Sequence, residues 1–247
     1  MTVTRTPERR SYVEQVMGLP VSLLLRGPGA RDTQEAAAAV YAELRQVDAV
    51  FSTYRDDSQV SRLQRDDLGL DDCDPDVREV ADLCEQAREA TDGAFDAVRP
   101  DGRWDPTGLV KGWAAERAAR HLANAGSVDW CLNAGGDVVV GSRTGAPFGI
   151  GVQDPADPGA VVAVVPLLSG GMATSGTSAR GRHLYDPRAR QPVDPVASVT
   201  VIGPALLWAD VWATACFVRG DLAMLPSGHE GLVVRHDGGR LASAGWR

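Results

Sequence analysis

The chain has 247 residues, 44% of them apolar, with a formal net charge of -8 and a sequence pI near 5.0. That length and composition support a real core in one large domain or two small ones. The acidic balance excludes nucleic acid and anionic membrane as general partners, because most of the surface would repel a polyanion, so an anionic ligand must be met by a local basic cluster.

The opening "MTVTRTPERRSYVEQVMG" is polar, with no apolar h-region, lipid-attachment cysteine or membrane span. Residues 1–10 are expected to form a flexible tail before a single domain over 11–247, and a cytoplasmic location is expected. The segment 12–27, "YVEQVMGLPVSLLLRG", reads as two strands or one bent strand. Val40, Leu44, Val47 and Phe51 then recur at helical spacing after a candidate N-cap, Asp32. Val77, Val80, Cys84 and Ala87 mark a second helix, ended by "TDGAFD" at Gly93. A third follows in "DPTGLVKGWAAERAARHLANAG" (105–126), where Val110, Ala114, Ala118 and Leu122 form an apolar stripe, Lys111 falls in the first turn and Gly126 supplies the stop.

Beyond it, "WCLNAGGDVVVGS" (130–142), "FGIGVQ" (148–153), "AVVAVVPLL" (160–168) and "SVTVIG" (198–203) read as strands. Gly135 and Gly136 mark a tight turn or a close approach of backbone to ligand. The segment 205–220, "ALLWADVWATACFVRG", has the length and composition of a helix, and "EGLVVRHDGGRLASAGW" closes the chain as a hairpin. Cys73, Cys84, Cys131 and Cys216 have no CxxC spacing and read as reduced, buried thiols without zinc.

Three clusters carry chemistry. The stretch around Lys111 looks like a phosphate loop, but Gly112 and Trp113 follow the lysine where a Walker motif needs Lys and Ser/Thr after two spaced glycines. Asp210 lies among Trp208, Val211, Trp212, Cys216 and Phe217, surroundings that penalise an unpaired carboxylate. Thr214, at i+4, shares its helix face. Two oxygens without Cys or His suit a hard ion such as Mg²⁺, although on the helix pattern alone a structural aspartate is the simpler reading. The third cluster, "TSGTSARGRHLYDPRARQPV" (174–193), gathers Arg180, Arg182, His183, Arg188 and Arg190. It is either a solvated basic loop or the place where an anion is steered, with His183 suited to proton transfer near neutral pH.

These residues resemble one family. "MG" at 17–18, "FSTYRDDSQVSRL" at 51–63, "GAFD" at 93–96, "DPTGLVKGWAAE" at 105–116, "LNAGGDV" at 132–138, "TSG…HLYDP" at 174–187 and "SVTVIG…ADVWAT" at 198–214 stand in the order found in the ApbE family of FAD:protein FMN transferases. Seven ordered blocks outweigh any lone motif. The resemblance implies an α+β fold, a single mixed domain with helices packed on a mainly antiparallel sheet. It implies Mg²⁺-dependent transfer of FMN from FAD to a Ser/Thr hydroxyl of a target flavoprotein, with release of AMP. Hydrolysis of FAD to FMN and AMP, or FAD binding without catalysis, are the alternatives.

By resemblance, the metal is held by Asp210, Thr214 and the backbone carbonyl of Gly108. Flavin or phosphates meet Met17, Tyr54, Ala94, Phe95, Asp96, Asp105, Lys111, His183 and Leu184, and His183 is also the candidate general base. The chain departs from the family in two places. Ala189 and Arg190 of "DPRAR" replace a Thr-Gly turn, and Glu116 stands where Asp is common.

Overall fold

The computed structural model describes residues 8–27, 30–123, 128–177 and 184–246, with side chains from residue 33 onward in the second stretch. Gly126, Arg180, Arg182 and His183, and the side chain of Asp32, lie outside the described residues. The strands are β1 (Arg9–Val16), β2 (Leu19–Arg26), β3 (Asp129–Ala134), β4 (Asp137–Gly141), β5 (Phe148–Gln153), β6 (Val161–Leu167), β7 (Ser169–Gly176), β8 (Tyr185–Asp186), β9 (Gln191–Pro192), β10 (Ser198–Gly203), β11 (Glu230–Val234) and β12 (Arg240–Ala242). The helices are α1 (Ala30–Phe51), α2 (Gln59–Gln64), α3 (Pro75–Ala90), α4 (Thr107–Ala123) and α5 (Leu206–Arg219). β1 begins at Arg9, two residues before the expected edge of the domain, and α1 begins before Asp32.

Eight strands form one antiparallel sheet in the order β1-β2-β3-β4-β7-β10-β11-β12, while β5–β6 and β8–β9 pair separately. Strand alternation divides the core. Leu132, Val139, Ala173, Val199, Val201 and Val233 face the helices in one apolar cluster, which also holds Val40, Leu44, Val77, Val80, Leu109, Val110, Leu122 and most of α5. Val138, Val140, Met172, Leu232 and Val234 face the other way, onto Phe148, Ile150, Val152, Val165 and Leu167 of the β5–β6 hairpin. The mixed, mainly antiparallel α+β architecture expected from the sequence is the one observed.

The central strand β7, "SGGMATSG", was absent from the sequence expectation. It contains no Val, Ile or aromatic residue, the types that favour strands. Packing explains it: a Cβ on Gly171 would lie 2.5 Å from Leu206 Cα, so glycine lets the start of α5 rest directly on the sheet. Gly112 does the same between helices, where a Cβ would come within 2.9 Å of Leu207 Cα. Among the described residues no helix is long and apolar enough to cross a membrane.

Candidate functional site

α5 is buried almost all round and stops at Gly220, whose φ of 75° supplies the left-handed cap. Its other end has no cap from Ala205. Glu116 on α4 takes that role, with Oε1 accepting from Leu206 N at 2.5 Å. Burial pushes the Glu116 carboxyl above its ordinary range, while the backbone N–H groups of Leu206 and Leu207 pull the other way. Glu116 therefore sits at a joint between two helices. From the start of α5 so fixed, one turn carries the chain to Asp210, 2% exposed. Thr214 follows a turn later, its Oγ1 3.0 Å from the hydroxyl of Ser175 on β7.

α4 is positioned by Asp105. Its Oδ1 accepts from Thr107 N at 3.1 Å and Thr107 Oγ1 at 2.6 Å, satisfying free donors at the helix start. Its Oδ2 lies 3.3 Å from Arg99 Nη1. Asp105 thus holds the helix that carries Lys111. That lysine is the fifth residue of α4 and opens its second turn, slightly later than the sequence suggested. Its ammonium lies against the carboxylate of Asp137 and 3.6 Å from Asp210 Oδ2. Asp137, 1% exposed, opens β4 on the same face as Val139, and its Oδ1 accepts from Thr174 N at 3.1 Å.

Two hairpin turns form another part of the wall. Met17 and Gly18 (φ 57° and 69°) join β1 to β2, and Gly135 and Gly136 (φ 62° and 104°) join β3 to β4. Each has positive φ at both loop residues, the signature of a tight two-residue hairpin turn. A glycine satisfies it freely, whereas Met17 adopts it at a cost. The turns are neighbours, because Gly135 N donates to Pro20 O at 3.2 Å.

All of this opens onto one cleft of about 2010 Å³. Met17, Tyr54, Ala94, Phe95, Asp96, Asp105, Gly108, Lys111, Leu184, Asp210 and Thr214 line it, so every described residue that the family resemblance assigned to metal or flavin reaches the same space. Ala94 and Phe95 are buried, and Phe95 N is held by Thr91 Oγ1 at 3.0 Å. A side chain at position 108 would touch the Phe95 ring. Asp96 Oδ1 accepts from Val98 N at 2.8 Å, and Tyr54, 96% exposed, stands at the mouth.

Sequence reasoning passed over Asp137, Ser175 and Tyr185. The Tyr185 hydroxyl lies 3.2 and 3.1 Å from the carbonyl oxygens of Asp96 and Val98, and its pKa is pushed up to about 12, by burial first and then by Asp96 and other nearby carboxylates. For Asp137 a signal was present: an acid opening an otherwise apolar strand just after a double glycine. The basic cluster is partly accounted for by structure. Arg188 pairs with Asp92, which Arg219 also approaches, and the exposed Asp92 carboxyl is held below its ordinary range by Arg188. Arg190 adopts a left-handed φ of 53°. Neither arginine lines the cleft.

Among the described residues no group of three or more His, Cys, Asp or Glu could hold a metal ion. Asp210 and Thr214, which both line the cleft, offer only oxygen donors on one helix face. That sparse, hard donor set is the kind Mg²⁺ uses together with water and phosphate oxygens.

The family model described as "ApbE family" matches residues 17–100 and 97–226. FAD:protein FMN transferase of Escherichia coli (strain K12) is 33% identical over 150 residues, covering 55% of this chain and 42% of that protein. The enzyme of the same name from Klebsiella pneumoniae (strain 342) is 33% identical over 133 residues, covering 49% and 38%. The chain thus matches only about two fifths of the length of these relatives. Among solved structures, an ApbE protein from Thermotoga maritima superposes with a TM-score of 0.83 at 21% identity, covering 96% of this chain and 97% of that one. The apo form of Pseudomonas stutzeri flavinyl transferase ApbE gives 0.81 at 22% identity, covering 99% and 98%. At these identities the structures establish a shared fold.

Proposed function

The chain belongs to the ApbE family, and from that premise we propose that it transfers FMN from FAD to a Ser or Thr hydroxyl of a partner flavoprotein, releasing AMP. The observation that carries this reading is the convergence of the family's motif residues on one cleft. At about 2010 Å³ it exceeds the roughly 300–1,000 Å³ of an ordinary small-molecule site. That leaves room for a dinucleotide and an incoming side chain.

In this reaction the bond between the FMN phosphorus and the bridging pyrophosphate oxygen breaks. A bond from that phosphorus to the acceptor Oγ forms, the electron pair leaves with AMP, and the hydroxyl proton passes to a base. Met17, Tyr54, Phe95 and Leu184 offer apolar surface for a flavin. Asp105 fixes the N-terminus of α4, whose dipole favours phosphate, and Lys111 supplies a positive charge beside it.

Asp210 and Thr214, with the second lone pair of the Gly108 carbonyl, are the residues that would hold Mg²⁺, a fit supported by their all-oxygen chemistry. Bound there, the ion supplies charge neutralisation at the pyrophosphate oxygens. His183 is assigned as general base on family resemblance, supported by Gly176 and Leu184, which bracket its segment and line the cleft. Burial pushes the thiols of Cys84 and Cys216 up to about 12 and that of Cys131 up to about 11, so none of the three is a reactive thiolate near neutral pH.

Incubation with FAD, Mg²⁺ and a candidate flavoprotein, followed by intact-mass and peptide analysis, tests the proposal. The expected result is a gain of one phosphoester-linked FMN on a Ser or Thr. An unmodified acceptor with free FMN in solution identifies a hydrolase instead, and bound FAD with no AMP identifies a binding protein.

A further inference from the structure

The β5–β6 hairpin pairs apart from the eight-stranded sheet, and its two outer edges differ. In an antiparallel pair, residues that exchange backbone hydrogen bonds with the partner alternate with residues whose N–H and C=O point away from it. Two observations fix that alternation here. Pro166, which pairs with Gly149, has no N–H to give and belongs at an outward position. Asp154 N donates across the hairpin to Ala160 O at 3.0 Å, and the extra residue of the intervening bulge lies on β6, so the even-numbered residues of β5 face β6. Gly149 and Gly151 therefore aim their N–H and C=O at the free edge of β5.

On β6 the outer edge is blunted, because Pro166 offers no donor and Arg240 Nη1 donates to Val162 O at 3.1 Å. The edge of β5 has no such cover: both glycines are exposed, and no backbone partner among the described residues meets their outward groups. An open edge is a template for another strand, and proteins ordinarily cover or charge it. Here it forms one wall of the cleft, since Gly149, Gly151 and Gln153 line the same space as Lys111 and Thr214. The hairpin's outer face beside them is apolar. Val164 and Val161, 59% and 60% exposed, lie so close that a Cβ on Gly149 or Gly151 would stand 3.3 or 3.1 Å from their Cγ1 atoms.

We propose that β5 is the docking strand for the acceptor: an extended segment of the target flavoprotein pairs with the edge at Gly149 and Gly151, and this carries its Ser or Thr into the cleft. The inference rests on the reading of the chain as an FMN transferase and adds the means of holding a protein segment beside the dinucleotide. Main-chain pairing gives affinity, while alternate side chains of the segment meet the cleft and the valine face. Glycine at both outward positions lets the incoming backbone approach closely. Water, the competing nucleophile, gains nothing from such an edge.

The flavoprotein that becomes modified in the transfer assay is the probe. Gly151→Pro removes the outward N–H, and Gly151→Ala adds the same Cβ while keeping it, so their comparison separates the hydrogen bond from contact with Val161. Relative to Gly151→Ala, Gly151→Pro is expected to raise the KM for the acceptor about tenfold, the upper end of what one hydrogen bond contributes. FAD affinity, and kcat at saturating acceptor, should match between the two variants. In the wild type, amide exchange at Gly149 and Gly151 is expected to slow when acceptor is added and to stay fast with FAD alone.

Equal acceptor KM in the two variants, or unchanged exchange at both glycines with acceptor bound, would overturn the proposal. So would slow exchange without acceptor that depends on protein concentration, which would make the edge a contact between two copies of this chain. If Gly151→Pro does not fold, Gly149→Pro against Gly149→Ala replaces it, and the exchange measurement needs no variant. If FAD is hydrolysed and no flavoprotein is modified, the transferase reading fails and the inference falls with it. If transfer proceeds while the edge stays unprotected, only the inference fails.

Discussion

The two faces of β4 carry opposite chemistry on five consecutive residues. Val138 and Val140 turn onto the β5–β6 hairpin, in an apolar cluster with Phe148, Ile150, Val152, Val165 and Leu167. Asp137 turns with Val139 toward the helices, where the Lys111 ammonium meets it and also stands 3.6 Å from Asp210 Oδ2. One face is built mainly for packing, and the other sets the part-exposed Lys111 against two buried carboxylates that a simple core would not keep. Buried ion pairs are weak stabilisers when their desolvation is counted. Their concentration beside the cleft that Lys111 and Asp210 line points to use in chemistry, with the hairpin side supplying apolar packing.

The comparison is broken most directly at Asp210. Asp210→Ala is expected to abolish Mg²⁺-dependent FMN transfer while weakening FAD binding less, and Thr214→Val to act in the same direction more mildly, as steady-state transfer against Mg²⁺ concentration will show. Unchanged turnover at saturating Mg²⁺ removes Asp210 from the site. On the proposed reading, His183 takes the proton of the acceptor hydroxyl. General-base catalysis contributes about 10²- to 10⁴-fold, so His183→Ala is expected to slow single-turnover transfer by that factor, spare FAD affinity and flatten the acidic limb of the rate profile. Collapse of FAD affinity with normal transfer at saturating FAD makes it a binding residue.

On the apolar face the expectation reverses. Val140→Ala opens a small cavity under the hairpin, and roughly 1–3 kcal/mol of stability should be lost. Denaturant unfolding measures that loss, while turnover per folded molecule should hold. A fall in turnover without a fall in stability would erase the distinction between the faces.

Much of this was legible from local pattern. Val77, Val80, Cys84 and Ala87, picked by helical spacing, are the buried residues of α3, and the Gly135–Gly136 turn sits where the double glycine placed it. What sequence did not reveal depends on contacts distant along the chain. Nothing local says that β4 pairs with β7, and the meaning of Asp137 follows only once α4 and α5 lie over its face. β7 was missed because its glycines answer to the approach of Leu206 rather than to strand propensity. Glu116 looked like a mild exchange, and its function emerges only with α5, ninety residues on.

That joint gives a pH prediction. The folded-state pKa of Glu116 is raised by burial, so its contribution to stability is fully present below the ordinary glutamate value and is lost as pH rises through the raised one. Relative to Glu116→Gln, the wild type should gain stability as pH falls through that window. Parallel unfolding curves for the two proteins across it would remove Glu116 as the source. The smallest effect is expected at Arg190. Its left-handed backbone costs about 1–2 kcal/mol, partly offset in a glycine variant by unfolded-state entropy. Arg190→Gly should therefore stabilise by only about 0.5 kcal/mol, read as a small rise in Tm, and a clear loss would show that the arginine side chain holds the turn.

The central claim is that the cleft directs FMN to a protein hydroxyl, and AMP release with and without acceptor tests it most directly. The account predicts one AMP for each FMN attached when a Ser/Thr-containing acceptor is present, and little AMP when the acceptor is omitted or its hydroxyl removed. AMP released at the same rate in all three cases, matched by free FMN, would contradict it.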